Sequence, residues 1–411
     1  MSARRTYLDY NATAPLRPEA RAAMLAAIDA GGNPSSVHAE GRRARAMVER
    51  AREQVAALVG ASPSQVIFTS GASEVANSVL RRSWRRIRYS RMEHPCVVAP
   101  ILASQARIVE MSVDSDGVID VAALGACLAG EPVADGEGAG RALIAAQLAN
   151  NETGVIQPVA AIVELARTHG AAVMCDAVQA AGRVAIDFAQ SGVDYLLVSS
   201  HKIGGPKGVG ALVARDVNSL PPFIVGGGQE RRKRAGTENV EGIAGFGAAA
   251  EAALRDLPAV GAISALRDEI ERAARDVRPD VAIISERVTR LGNTTALAVA
   301  GAAAETLVIK LDLAGVAVSA GSACASGKVG QSAVLAAMGI APEIARGVIR
   351  VSLGHASSRA DVASFIEAWR NAVAPGRGDA HVRVADAGAP HAVTVTPHQF
   401  KAAPAAASMG E

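Results

Sequence analysis

Apolar stretches typical of buried strands alternate with helical segments along the first half of the chain, and this order restricts the fold more than any other sequence feature. Residues 65–80 are predicted to form a strand, a glycine turn and a helix, and 141–154 and 171–180 each contain a short apolar strand. Residues 194–214 contain two strands separated by a polar loop and a glycine-rich turn. The pattern predicts an α/β fold with a mostly parallel sheet covered by helices on both faces.

Polar clusters follow four of the predicted strands, at 70–74, 150–153, 176–179 and 199–202. In open α/β sheets, ligands bind beyond the carboxyl ends of the strands. The sequence therefore predicts a binding site where these clusters meet.

Composition narrows the class of protein. The net charge of +2 provides no strong field toward nucleic acid or anionic lipid. The sequence has no apolar run long enough for a transmembrane helix and no apolar core of a secretory signal near its N-terminus. Its four cysteines form no CxxC pair, so neither a metal site nor a disulfide framework is predicted. We expect a cytoplasmic protein with free thiols.

Lys202 is a candidate for covalent chemistry. The sequence contains only six lysines, and lysine, unlike arginine, can form a Schiff base. Lys202 follows the apolar strand 195–198, at the mouth of the predicted sheet. A lysine on a surface loop is the alternative interpretation.

Asp176 ends another apolar strand, where a buried carboxylate needs a partner. The protonated pyridine nitrogen of pyridoxal 5′-phosphate (PLP) is a suitable one, and Gln179 could contact the same cofactor. The alternative is an aspartate that caps the next helix. The turn at 70–74 could bind a phosphate through its backbone N–H groups, with further contacts from Ser199 and His201.

Three more side chains are candidates for the same site. His94 could stack on a flat ring and transfer protons, although an ordinary loop histidine is the alternative. Cys324 lies in a segment of small residues, which favours an accessible thiol over a buried one. Arg350, inside the apolar strand GVIRVSLG, needs an anionic partner, either a substrate carboxylate or an internal carboxylate.

The chain resembles the cysteine desulfurases of the NifS/IscS type, which belong to the class-V aminotransferases and have the fold of type I PLP enzymes. The resemblance extends from residue 7 to about 372. It rests on YLDYNATAP (7–15), GNPSSVH (32–38), FTSGASE (68–74), EHPCV (93–97), NNETGVIQP (150–158), DAVQAAG (176–182), SSHKIGGPKGVGAL (199–212), GGGQERRKRAGTEN (226–239), GSACASG (321–327) and IRVSLG (349–354).

The resemblance implies a large PLP-binding domain at 14–256 with a mostly parallel seven-stranded sheet. It also implies a smaller α+β domain at 1–13 and 257–375, which carries a catalytic cysteine loop at about 319–332. The segment 376–411, rich in Ala, Pro and His, is expected to be a flexible tail. This tail does not match the C-terminus expected of the IscS type, so the sulfur acceptor stays open.

The resemblance also implies a role for each site residue. Lys202 would be the Schiff-base lysine, Cys324 the thiol that becomes a persulfide, and His94 a ring-stacking group that transfers protons. The implied cofactor contacts are Ala72, Ser73, His94, Asn151, Asp176, Gln179, Ser199, His201, Lys202 and, across a homodimer, Thr237. The implied substrate contacts are Asn11, Asn151 and Arg350.

The implied activity is a sulfurtransferase reaction that converts L-cysteine to L-alanine and passes the sulfur from Cys324 to an acceptor protein. The acceptor would serve iron–sulfur cluster, thio-cofactor or tRNA synthesis. Selenocysteine lyase and another type I PLP aminotransferase are alternatives, although a transaminase would not need Cys324. A cofactor-free binding protein with the same fold is a third alternative, against which Lys202, Asp176 and Cys324 argue.

Overall fold

The computed structural model describes residues 5–130, 141–321 and 332–374. Its strands are β1 (Thr6–Tyr7), β2 (Val66–Thr69), β3 (Arg86–Tyr89), β4 (Arg107–Glu110), β5 (Ala142–Gln147), β6 (Ala172–Asp176), β7 (Tyr195–Ser199), β8 (Gly210–Ala214), β9 (Ala282–Ile283), β10 (Thr294–Ala298), β11 (Val316–Ala317), β12 (Ser319–Ala320) and β13 (Val348–Ser352). Its α-helices are α1 (Pro18–Ala30), α2 (Ala39–Leu58), α3 (Ala72–Leu80), α4 (Pro95–Leu102), α5 (Val121–Ala129), α6 (Val159–Thr168), α7 (Phe188–Ser191), α8 (Val240–Asp256), α9 (Val260–Val277), α10 (Ala304–Leu313), α11 (Ala333–Ala337), α12 (Pro342–Ala345) and α13 (Arg359–Val373).

Seven strands form one sheet in the order β2-β8-β7-β6-β5-β3-β4. All of them run in the same direction except β8, which is antiparallel to both of its neighbours. The predicted fold class, an α/β protein with a mostly parallel seven-stranded sheet, is confirmed. Because β2, β5, β6 and β7 run in the same direction, their carboxyl ends meet at one edge of the sheet.

Successive residues of the central strands face opposite sides of the sheet and are buried on both. In β5, Leu143 and Ala145 pack in the core that includes α3 and α4, whereas Ile144 and Ala146 pack in the core that includes α2 and α8. Burying a side chain such as leucine or isoleucine stabilises the fold by about 1.5–3 kcal/mol. Burial on both faces explains why these strands are continuously apolar in the sequence.

A four-stranded antiparallel sheet, in the order β12-β13-β10-β9, lies in the C-terminal part of the chain. Its core includes side chains of α9, α10 and α13, and Leu8 joins it from the N-terminal segment. The short strands β1 and β11 pair in parallel beside it. Packing joins the described residues up to Val373 into one unit, and the division at residue 256 stays a prediction.

No helix in the described part of the chain is long and apolar enough to cross a membrane. The predicted tail at 376–411 and residues 322–331 of the predicted cysteine loop lie outside the described residues.

Candidate active site

A cavity of about 690 Å³ lies where the strand ends meet. Eleven of the predicted site residues line it: Asn11, Ala72, Ser73, His94, Asn151, Asp176, Gln179, Ser199, His201, Lys202 and Arg350. The structure therefore brings together side chains that lie up to 339 residues apart in the sequence, as the clusters at the strand ends predict.

Lys202 lies in a short 3-10 turn, Ser200–Lys202, directly after β7. Its Nζ atom donates to the carbonyl oxygens of Asn11, at 2.6 Å, and Ala12, at 2.9 Å. The side chain is half-buried and lines the cavity, which favours the functional interpretation over that of a surface loop lysine. The two carbonyl oxygens hold the amine at the wall of the cavity.

Asp176 is the last residue of β6 and is buried, with 7% of its surface exposed. Its Oδ1 atom accepts the backbone N–H of Val178 at 2.9 Å. Burial raises the pKa of Asp176 to about 6, although the Val178 N–H and the charge of Lys202 act in the opposite direction. Turns follow Asp176 and no α-helix begins before Phe188, so the helix-cap interpretation does not fit. The carboxylate is placed to be stabilised by a cation in the cavity.

Gln179 is held by a network that includes Asn11 and Arg183. The Nε2 atom of Gln179 donates to the carbonyl oxygen of Asn11 at 3.1 Å, and Arg183 donates to the side-chain oxygens of both Gln179 and Asn11. The Nδ2 atom of Asn11 donates to the carbonyl oxygen of Asn151 at 3.0 Å and to Thr294 at 2.9 Å. The side chain of Asn11 therefore links Asn151 and Thr294 to Arg183. The backbone carbonyl oxygen of Asn11 is the group that contacts Lys202.

Two histidines line the cavity, and both are held in their neutral form. His94 precedes α4, and its Nδ1 atom accepts the backbone N–H of Cys96 at 3.1 Å, which leaves the proton of the neutral ring on Nε2. Burial and the charge of Lys202 lower the pKa of His94. Burial, together with the charges of Lys202 and Lys207, lowers the pKa of His201 to about 4.

The turn before α3 is the part of the cavity that is best suited to bind an anion. Gly71 has φ +155°, a conformation that favours glycine, and α3 begins at Ala72. A Cβ atom on Gly210 would lie 2.7 Å from the Cα atom of Gly71, so the first residue of β8 must also be small. The backbone N–H groups at the start of a helix have no partner within the helix and attract anions.

Arg350 is almost fully buried in β13, with 2% of its surface exposed. Its Nη2 atom lies 2.7 Å from Oδ1 of Asp9, and its Nη1 atom donates to the carbonyl oxygen of Asn151 at 3.0 Å. Arg350 also lines the cavity. Arg350 therefore forms an ion pair with an internal carboxylate, which is one of the two predicted alternatives. It also lies at the cavity, where the other alternative, a contact with a substrate carboxylate, requires it.

Two predicted residues are not placed in this cavity. Thr237 lines a neighbouring cavity of about 290 Å³, which shares Ser70 and Gly208 with the larger one. Cys324 lies outside the described residues. The nearest described residues are Gly321, whose N–H donates to the carbonyl oxygen of Val348 at 2.8 Å, and Ser332.

Sequence reasoning missed three charged residues near the site. Asp9 and Arg183 hold Arg350 and Gln179, as described above. Glu152 accepts the hydroxyl of Ser332 at 2.6 Å, and burial raises its pKa to about 7. Asp9 and Glu152 lie within sequence segments already singled out, 7–15 and 150–153, whereas Arg183 directly follows 176–182 and had no signal of its own.

Comparisons with known proteins identify the family of the chain. The family model for class-V aminotransferases matches residues 6–365. A cysteine desulfurase of Cereibacter sphaeroides is 40% identical over 375 residues, which cover 88% of this chain and 94% of that protein. A cysteine desulfurase of Klebsiella pneumoniae is 41% identical over 358 residues, which cover 85% of this chain and 88% of that protein.

Among solved structures, the X-ray structure of a NifS-like protein from Rickettsia africae matches with a TM-score of 0.82 and 33% identity, over 90% of this chain and 99% of that one. The chain therefore belongs to the class-V aminotransferase family and, within it, groups with the cysteine desulfurases. The resemblance identified from the sequence motifs is confirmed.

Proposed function

We propose that the chain is a PLP-dependent cysteine desulfurase, which removes sulfur from L-cysteine, releases L-alanine and transfers the sulfur to an acceptor protein. The observation that carries this proposal is the position of Lys202 and the buried carboxyl of Asp176 on the wall of one cavity. PLP, when bound, supplies a ring that accepts the electrons left on Cα after a proton is removed.

The residues of the cavity fit this cofactor. A volume of about 690 Å³ lies in the range of small-molecule sites. Asp176 would supply a carboxylate for the pyridine nitrogen, and Lys202 would supply the amine that holds the cofactor covalently. The phosphate would be held by the turn that contains Ala72 and Ser73 and by Ser199 and His201. In the same arrangement, His94 would stack on the ring, while Gln179 and Asn151 would bind its polar edge.

The chain's own groups divide the reaction between them. Arg350 binds the carboxylate of L-cysteine, with Asn151 and Asn11 beside it. Lys202 takes the Cα proton, and neutral His94 can pass a proton to or from the substrate. The thiolate of Cys324 attacks the substrate sulfur. The carbon–sulfur bond breaks as the sulfur–sulfur bond forms, and protonation of the carbon gives alanine.

Chain connectivity supports the role of Cys324. Ser319 pairs with Arg350 across the antiparallel strands β12 and β13. Cys324 lies five residues beyond Ser319, and a chain of this length spans at most about 18 Å. This length allows Cys324 to reach a substrate held by Arg350, as the proposed role requires.

The same proposal includes the parts that depend on other chains. A homodimer would bring Thr237 to the phosphate of the partner's cofactor, and the domain division at 14–256 would place the cofactor in the large domain. We propose a cytoplasmic enzyme whose acceptor is a protein. Neither nucleic acid nor a membrane is a proposed partner.

An assay of the purified chain tests the proposal. With PLP and L-cysteine, alanine and persulfide sulfur should form in equal amounts, and the bound cofactor should absorb visible light. L-Selenocysteine, supplied at the same concentration, tests the alternative of a selenocysteine lyase. A chain that binds no PLP, or that consumes cysteine without forming alanine, would show that the proposed function is wrong.

A further inference from the structure

The turn at 70–74, which would bind the phosphate, contains a carboxylate of its own. Glu74, in the first turn of α3, lines the cavity, and its Oε2 atom accepts the backbone N–H of Ser70 at 2.8 Å. A negative charge at a helix N-terminus is itself stabilised by the helix dipole. The charge of Glu74 also repels any other anion that approaches the N–H groups at the start of α3. The turn can bind a phosphate strongly only if this charge is balanced.

Arg234 balances it. Its Nε atom lies 3.1 Å from Oε1 of Glu74, and its Nη2 atom donates to Oε2 at 3.5 Å. Only 25% of the Arg234 side chain and 16% of the Glu74 side chain are exposed. Burial would raise the pKa of Glu74, but hydrogen bonds from Arg234 and Ser70 outweigh it and lower the pKa. Glu74 is therefore ionised.

The chain holds Arg234 firmly in this position. Glu230, four residues earlier, is buried and accepts two hydrogen bonds of 2.8 Å from the guanidinium of Arg52. Oε2 of Glu230 also accepts the backbone N–H of Phe68 in β2, the strand that leads into the turn at 70–74. On the other side of Arg234, the backbone N–H of Ala235 donates to Ile224. The position of the guanidinium relative to Glu74 is thus set by the fold.

We propose that Arg234 is a positioning residue for the cofactor: it neutralises Glu74 and thereby allows the turn at 71–73 to bind the phosphate of PLP. Arg234 lines the neighbouring cavity rather than the one that would hold PLP, so its effect is transmitted through Glu74 and Ser70. This inference rests on the proposed function, because the phosphate is that of PLP.

Cofactor binding tests the proposal independently of catalysis. The full-length chain, freed of cofactor, is titrated by absorbance with PLP and with pyridoxal, which has the same ring and aldehyde but no phosphate. Arg234→Gln should weaken the binding of PLP by about ten- to a hundredfold. The binding of pyridoxal should change by less than about twofold, because pyridoxal lacks the phosphate whose negative charge Glu74 would repel.

Two further variants separate charge from structure. Glu74→Gln combined with Arg234→Gln should restore PLP binding to within about threefold of the parent, because neither charge is left. Arg234→Lys, which keeps the charge without the paired donors, should fall between the parent and Arg234→Gln.

Three outcomes would overturn the inference while PLP still binds the parent: an equal loss of PLP and pyridoxal binding in Arg234→Gln, unchanged PLP binding in that variant, or no recovery in the double variant. Failure of the parent itself to bind PLP would instead overturn the proposed function.

Discussion

Asp9 holds Arg350 by an ion pair in which Oδ1 of the carboxylate lies 2.7 Å from Nη2 of the guanidinium. The two residues are 341 positions apart, and 17% of the Asp9 side chain is exposed. One carboxylate does not use all five donors of a guanidinium, and Nε of Arg350 has no partner among the described residues. Internal pairing and recognition of a substrate carboxylate are therefore compatible: Asp9 orients the arginine, which keeps donors for a ligand.

We expect Arg350→Gln to raise the KM for L-cysteine by at least about tenfold, because a charge-assisted contact to the substrate carboxylate is lost. The absorption of the bound cofactor should not change. Steady-state kinetics and a spectrum of each preparation measure both effects. The control is Arg290→Gln, which breaks a similarly buried pair with Glu271 outside the cavity and should leave KM unchanged. An unchanged KM in Arg350→Gln would remove the proposed substrate contact.

Lys202 and Lys207 both line the cavity, which allows a matched comparison. Lys202→Ala should abolish covalent attachment of the cofactor, because the amine that forms the linkage is gone. Lys207→Ala should retain it. Each variant is incubated with PLP, reduced with borohydride, digested and analysed by mass spectrometry. A cofactor label on Lys207, or a labelled Lys202→Ala protein, would contradict the assignment.

Cys324→Ala should lower the formation of alanine from L-cysteine by at least about a thousandfold, because no other group is expected to accept the substrate sulfur. The cofactor spectrum should stay intact. Cys96→Ala is the demanding control, since Cys96 lines the cavity beside His94. Full activity in Cys96→Ala together with its loss in Cys324→Ala would support the assignment, and the reverse result would transfer the role to Cys96.

The sequence was sufficient to predict the sheet and most of the site. Asp176 is the last residue of an apolar strand, and Lys202 and Asn151 lie three and four residues beyond the ends of two others. Their position at one edge of the sheet therefore follows from strand direction. Asp9 and Arg183 were missed because their roles depend on tertiary pairing, which strand periodicity does not encode. The contacts that the Asn11 side chain makes with Asn151, Thr294 and Arg183 could not be predicted for the same reason.

Residues 230–232 show a second limit of sequence reasoning. Glu230, Arg231 and Arg232 all have positive φ, a conformation that non-glycine residues rarely adopt. Nothing in their residue types predicts it. Each such residue costs about 1–3 kcal/mol, so contacts elsewhere must fix the segment. The paired hydrogen bonds from Arg52 to the buried Glu230 are among these contacts. The guanidinium of Arg231 adds hydrogen bonds to the carbonyl oxygens of Pro63, Ser64 and Val66.

We therefore expect Glu230→Gln to lower the free energy of unfolding by about 3 kcal/mol, because the buried Arg52 then keeps only the half-exposed carboxylate of Glu49 as its counter-charge. Urea denaturation measures the change. Glu19→Gln breaks a surface pair with Arg255 and should cost less than about 1 kcal/mol. Equal, small effects of both substitutions would show that the buried pair does not restrain the segment.

The raised pKa of Asp176 makes the stability of the cofactor-free chain depend on pH. Burial raises the pKa of its carboxyl from 3.8 to about 6, so the folded chain binds a proton that the unfolded chain has lost between these values. The stability contributed by this group therefore falls as the pH rises from about 4 to about 6, and the loss is complete above that range. A difference of about two in pKa corresponds to about 3 kcal/mol.

Asp176→Asn removes this titration. Relative to the parent, the cofactor-free variant should gain about 3 kcal/mol of stability as the pH rises from 4 to 7. Burial lowers the pKa of His201 to about 4, which gives an opposite pH dependence. His201 is present in both proteins, so its contribution cancels in the comparison. With PLP bound, the order should reverse at pH 7, because the carboxylate then faces a cationic ring nitrogen that asparagine cannot neutralise. Urea denaturation at pH 4, 5.5 and 7, with and without PLP, measures both differences. A variant whose stability runs parallel to that of the parent at every pH would show that Asp176 is not a buried carboxyl awaiting a cation.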